Sequence, residues 1–193
     1  IGQESTAGTG VAATTIWRGT GVLRDTRKVV FSNERIGILG GANRMHTPQT
    51  GGEVQLDGEA TFEQLGYILG GGVKAVSPTT DASSAQIRTY EVQATDTDPI
   101  ATTDLTTLTL EVGDNIDAEE VAFSFARELT LKGTAGEALT VSSIFQARAP
   151  STSTYTTGLS IPTVEDILFS KGGIYLDPSS DTIGSTLVSN TLL

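Results

Sequence analysis

The sequence predicts a mainly β protein, a β-sandwich or barrel with one long antiparallel hairpin and one or two short flanking helices. Three observations carry that prediction. Charged residues make up only 18% of the chain while Thr, Ser and Gly abound, which suits sheets and long turns rather than helical bundles. Apolar residues recur at every second position in several segments, most persistently over 121–149. Glycine- and proline-containing breaks separate those segments. At 193 residues and 20.1 kDa the chain is long enough to bury one core.

Residues 1–15 are small and polar without a period, and read as an extended N-terminal arm of the kind that orders against a neighbour. The rest, 16–193, reads as one β domain. "KVVFSN" (28–33) is a short strand, and the glycine-rich stretch 36–52 mixes loop with strand. In "EVQLDGEA", Val54 and Leu56 alternate with Glu53, Gln55 and Asp57, as in a half-buried strand. "TFEQLGYILGGGV" is the first helix: Thr61 and Gln64 have capping-box spacing, Phe62, Leu65, Ile68 and Leu69 share a face, and Gly70 to Gly72 terminate it. Strands are expected over 86–95, with Tyr90 and Val92 on one side, and over "LTTLTLEV", where Leu108, Leu110 and Val112 alternate with Thr and Glu.

Over 121–131, Val121, Phe123, Phe125, Leu129 and Leu131 form the apolar face, and Arg127 alone interrupts it. Ala122, Ser124, Ala126, Glu128 and Thr130 form the other. The turn "KGTAGEA" leads into "LTVSSIFQAR", with Leu139, Val141 and Phe145 against Thr140, Ser142 and Gln146, completing the hairpin. Pro162, Thr163 and Asp166 start a second helix with Val164, Ile167 and Leu168 on its apolar face, closed by Lys171, Gly172 and Gly173. "GIYLDPSSDTIGSTLVSNTLL" then reads as strand, turn and strand, running to the C-terminus without a closing turn. That, with a start at Ile1 rather than Met, leads us to expect a natural chain that continues.

The chemistry in the sequence is sparse. Lys and Arg number 12 against 23 Asp and Glu, a net charge of -11, so a basic-patch nucleic-acid binder is disfavoured. Without cysteines there are no disulfides, thiolate metal sites or cysteine nucleophiles. No apolar run is long enough to cross a bilayer, and the first residues lack the pattern of a signal peptide. The acidic run Asp114, Asn115, Asp117, Glu119, Glu120 lacks EF-hand spacing and reads as a solvated turn ahead of a strand. His46 has no triad motif around it, and Glu119 and Glu120 point to opposite faces of a strand. The glycine clusters lack the Lys-Ser/Thr of a phosphate cradle. The expectation is a protein that is not an enzyme, with no cofactor and no metal.

Taken in order, "DGEATFEQLGYILGGGV", "LEVGDNIDAEEVAFSFARELTLKGTAGEALTVSSIFQAR" and "GGIYLDPSSDTIGSTLVSNTLL" resemble the major tail (tail tube) proteins of long, non-contractile-tailed bacteriophages. The resemblance spans most of 53–193, and family members commonly run longer. It implies a β-sandwich with a flanking helix, assembled as hexameric rings that stack into a hollow tube. In the family, strands from each subunit complete an inter-subunit β-barrel around the genome channel. Its implied partners are further copies of the chain, the tape measure, terminator and distal tail proteins, and transiting DNA that is not specifically bound, with no membrane. Its implied location is the virion, after assembly in the host cytoplasm. Within that frame Ala122, Ser124, Ala126, Glu128, Thr140, Ser142 and Gln146 are the lumen-facing candidates, because small and acidic side chains repel phosphates and leave no pocket to hold them. The arm 1–15 and the 36–52 loop are candidates for contacts between subunits or rings.

Two rival readings suit the same composition. One is a secreted or cell-surface β-sandwich of adhesin or pilus-subunit type. The other is a carbohydrate- or Ca²⁺-binding β-sandwich, which needs exposed aromatics at a site; aromatics are 6% of the chain, and Trp17 is the one Trp.

Overall fold

A computed structural model describes residues 1–34, 37, 42–74, 76–81, 83, 86–90, 105–114, 116–159, 161–173 and 177–178. The protein is mainly β. The strands are β1 (Gly2–Gln3), β2 (Thr20–Asp25), β3 (Lys28–Asn33), β4 (Ala42–Gln49), β5 (Gly52–Glu59), β6 (Thr79–Thr80), β7 (Gln86–Ile87), β8 (Leu108–Gly113), β9 (Ala118–Lys132), β10 (Thr140–Ala147) and β11 (Ser151–Ser153). Among the described residues one α-helix, α1 (Phe62–Gly72), lies between β5 and β6. Seven strands form a single antiparallel sheet in the order β1-β8-β9-β10-β5-β2, with β11 pairing β9 beyond the end of β10. The sheet curls into a half-barrel, bringing β2 against β8 across its open side.

The hairpin β9–β10 is the spine. β9 runs for 15 residues and pairs with β8 along its first half and with β10 along its second. Its turn places Gly136 at φ 86°, where Glu137 N–H reaches Thr134 C=O at 3.1 Å; a left-handed residue at that corner favours glycine. From the inner face of the sheet Val54, Leu56, Leu108, Leu110, Val121, Val141 and Phe145 meet Ile68 of α1. Phe145 is fully buried, a side chain whose burial alone contributes about 1.5–3 kcal/mol.

Thr61 caps α1 as its spacing predicts, accepting from Gln64 N–H at 3.2 Å. The packing of the helix differs from expectation. Phe62 is 60% exposed, and the buried positions are Gln64, Ile68, Gly70 and Gly71, with Leu65 partly buried against the core. The helix does end on the glycines, at Gly72. They form its last turn, where a Cβ on Gly71 would lie 3.5 Å from the Phe145 ring and one on Gly72 3.0 Å from the Ala126 Cβ. Their missing side chains let the helix sit close to the sheet.

The second predicted helix is replaced by extended chain. Residues 162–168 lie alongside the ends of β5 and β10, through bridges Thr61 to Asp166 and Ala138 to Leu168, and a single 3-10 turn, Phe169–Lys171, follows. Leu139 N–H donates to Ile167 C=O at 2.8 Å, and Ile167 N–H to Ala60 C=O at 3.3 Å. Backbone groups that the strand ends would leave unpaired recruit this segment, outweighing a short apolar periodicity. The strand expected over 86–95 is described only as far as Tyr90, of which Gln86–Ile87 is strand. The strands expected after Gly173 lie outside the described residues, apart from Asp177 and Pro178. Among the described residues no helix is long and apolar enough to cross a membrane.

Candidate functional site

The outer face of the sheet divides into a covered and a bare half. Over β8 and the first half of β9 lie residues 1–15, which pack on their own chain. β1 pairs with β8, and Glu4, Ala13 and Thr15 are buried. Two carboxylates secure this strap. Glu4 accepts from the Thr107 hydroxyl (2.6 Å), the Thr109 hydroxyl (3.0 Å), Gly8 N–H (2.6 Å) and Phe123 N–H (2.8 Å). Glu111 accepts from Ala13 N–H (3.1 Å) and from the N–H and hydroxyl of Thr156 (2.8 and 2.6 Å). Burial by itself raises the Glu4 carboxyl pKa, but its hydrogen bonds from Thr107, Phe123, Gly8 and Thr109 outweigh that and hold it below its ordinary value.

Phe123 explains why Glu4 is needed. It is the one described non-glycine residue at positive φ (57°), and there β9 gains a residue: Leu110 faces Val121 while Leu108 faces Ser124. This bulge reverses the face order along the strand. Val121 and Ser124 are both fully buried, and Phe123 turns outward, edge-to-face with Phe125 at 6.1 Å and under the Arg148 guanidinium at 5.2 Å. A second bulge follows at Arg127, where Phe145 pairs with Ala126 and Ile144 with Glu128. Arg127 and Glu128 therefore share the outer face, and the charge that interrupts the alternation stays out of the core.

The bare half spans β9, β10, β5 and β2. The register sets its side chains in rows: Lys132, Thr140 and Glu59; Thr130, Ser142, Asp57 and Thr20; Glu128, Ile144, Gln55 and Val22; Phe125, Gln146, Glu53 and Arg24. Glu53 lies between two cations, 3.5 Å from Arg24 and 3.3 Å from Arg127, and Lys132 marks the opposite end. The middle rows carry Asp57 and Glu128 without a salt bridge among the described residues. Gln55 Nε2 donates to Asp57 at 2.9 Å. The surface is mostly polar, with Val22, Ile144 and Phe125 among its Thr, Ser and Gln, the carboxylates Asp57 and Glu128 at its middle, and cations at its two ends.

Of the seven residues predicted to share one face, four are brought together here: Glu128, Thr140, Ser142 and Gln146. Three are not. Ser124 is fully buried on the inner face, Ala126 packs inward beneath Gly72 of α1, and Ala122 is half-buried at the first bulge with its carbonyl accepting from Arg148 N–H at 3.0 Å. A single bulge is enough to exchange faces, because the side-chain period is two. The Glu53, Gln55, Asp57 and Glu59 row of β5, visible in the sequence as an alternation, was not placed in this patch by sequence reasoning. Its adjacency to β10 spans some 80 residues of chain and leaves no local signal.

The acidic run joins β8 to β9 as a tight connection. Asp114 accepts from Ile116 N–H (2.8 Å) and Asp117 N–H (2.9 Å), and these backbone hydrogen bonds, Asp117 first, lower its pKa. His46 is exposed on β4, opposite Val30. Among the described residues no three His, Cys, Asp or Glu converge as a metal site requires. No protein-family model, curated protein or solved structure matches the chain.

Proposed function

We propose that this chain is a structural subunit of a phage tail tube, assembling as stacked hexameric rings whose channel is lined by the bare face of β9, β10, β5 and β2. The observation that carries the proposal is that face: four antiparallel strands presenting mainly Thr, Ser and Gln with Asp57 and Glu128 free of salt bridges among the described residues at its middle, three apolar side chains (Val22, Ile144, Phe125) among them and cations only at its ends, while the inner face holds the core and the strap covers the rest. Such a wall repels a polyanion without gripping it, and the open edge at β2 is removed when strands of neighbouring copies close a ring. The sequence resemblance supports the same reading independently. On this proposal Glu128, Thr140, Ser142 and Gln146, joined by Gln55, Asp57 and Thr130, face the channel, and DNA passes without specific contact.

Negative-stain microscopy of the purified protein tests it. Rings or tubes with a central channel are the expected result; a stable monomer at high concentration overturns the proposal and favours the surface-sandwich class.

A further inference from the structure

Strands β3 and β4 form a two-stranded ladder of their own, prolonging β2 and β5 beyond the sheet. A two-stranded hairpin is marginally stable alone in water. This one also shows apolar surface: Phe31 and Met45, directly opposite each other in the ladder, are 63% and 66% exposed, with exposed Val29 close by. At the other end of β2, on the open side of the half-barrel, is a cavity of about 450 Å³ lined chiefly by Ile16, Trp17, Leu56, Leu110, Val112 and Tyr155. Trp17 is fixed there by its Nε1–H, which donates to Asp57 C=O at 3.2 Å.

The charges of the two regions are complementary. Residues 25–49 hold four of the chain's 12 Lys and Arg (Arg27, Lys28, Arg35, Arg44) against two acidic residues, Asp25 and Glu34, which pair with Arg27 and Arg44 and leave Lys28 without a salt bridge among the described residues. Residues 110–120, which run from the cavity wall through the acidic connection, hold five acidic residues and no Lys or Arg. Phe31 and Met45 are not among the residues that line their own chain's cavity. Gly21 lines the cavity, and Phe31 follows it by ten positions along β2 and β3, a span of up to about 33 Å at the rise of a strand.

We propose that the Phe31–Met45 pair of one copy seats in the Trp17–Leu56–Leu110 cavity of the next, with Lys28 and the net positive charge of the hairpin steered by the acidic connection after β8. Knob and socket are different patches, so the contact is head-to-tail and either closes into a ring or continues as a filament. It rests on the tube proposal for its biological role, and its geometry names the surfaces through which copies join.

The chain has no cysteine, so engineered pairs report cleanly. Met45→Cys and Ile16→Cys chains, mixed under mild oxidation, are expected to give a covalent dimer on a non-reducing gel. Either variant alone, or Met45→Cys mixed with Glu63→Cys on α1, should give several-fold less. Phe31→Asp, at an exposed position, should keep the far-UV circular dichroism of the parent and lose self-association in sedimentation. Rings that assemble without the cross-link, or that persist with Phe31→Asp, overturn the knob and socket while leaving the tube proposal standing. A cross-linked dimer or filament that never forms a channel supports the contact and overturns the tube. A monomer that forms no cross-link overturns both.

Discussion

Replacing Glu4 by Ala should destabilise the fold far more than its place near the chain start suggests. Glu4 is 7% exposed and its carboxylate collects four hydrogen bonds, one of them from Phe123 N–H at the positive-φ bulge. Gly8 and the two threonines can turn to water or to each other, but Phe123 N–H loses its acceptor beneath the strap. An unsatisfied buried donor costs about 1–3 kcal/mol, and each lost charge-assisted bond about 1.5–3 kcal/mol, offset by no longer desolvating a carboxylate; the net expected is about 3 kcal/mol. For a chain of this size that is a fall in Tm of roughly 6–12 °C. Glu4→Gln keeps one carbonyl acceptor and should lose about half as much. The pH dependence has a definite sign. A carboxyl held below its ordinary value of 4.5 contributes stability that is complete above that pH and is lost as the pH falls through the folded-state value. Parent protein should therefore lose stability in acid more steeply than Glu4→Gln, with Glu111 still contributing in both. Thermal melts between pH 3 and 7, with amide exchange at Phe123, measure this. An unchanged melt for Glu4→Ala, with Phe123 N–H still protected, would refute the clamp.

Four further outcomes follow from the packing and from the bare face. Gly71→Leu should cost about 1–3 kcal/mol in chemical denaturation, because a Cβ there already touches Thr106 and Phe145 and the rest of the leucine must displace them. Phe62→Ser should stay within about 0.5 kcal/mol of the parent, since that side chain stands in solvent. Ser124→Leu should destabilise by about 1–3 kcal/mol, whereas Ser142→Leu on the outer face should not; similar effects from both would contradict the bulge at Phe123. Glu128→Lys should fold normally and, in assembled particles, slow or stall DNA ejection; unaltered ejection would remove Glu128 from the channel.

Much of the local structure was legible because it depends on neighbours in the chain. Strand β5, the β9–β10 hairpin, the Thr61 cap and the two-residue rhythm of β8 and β10 each follow from residues a few positions apart. Phe62 was placed on the wrong side of α1 because the real packing face uses small residues, Gly70 and Gly71, which carry no hydropathy signal. The predicted second helix failed where strand ends offered its backbone better partners. Arg127 was the one visible hint that β9 could not be a single unbroken alternation, and its bulge is the device that accommodates it.

What the sequence by itself determined is the class and the rhythm: mainly β, acidic, free of cysteine, with a long hairpin whose return strand presents Thr140, Ser142 and Gln146 on one side. Only the tertiary structure decided which residues share a face. The bulges sent Ser124 and Ala126 inward, β5 brought Asp57 and Gln55 beside β10, and the strap covered half of the sheet. Those outcomes depend on register between strands far apart in the chain and on one extra residue at Phe123. With a side-chain period of two, a shift of one residue exchanges core for surface, and no local pattern records it.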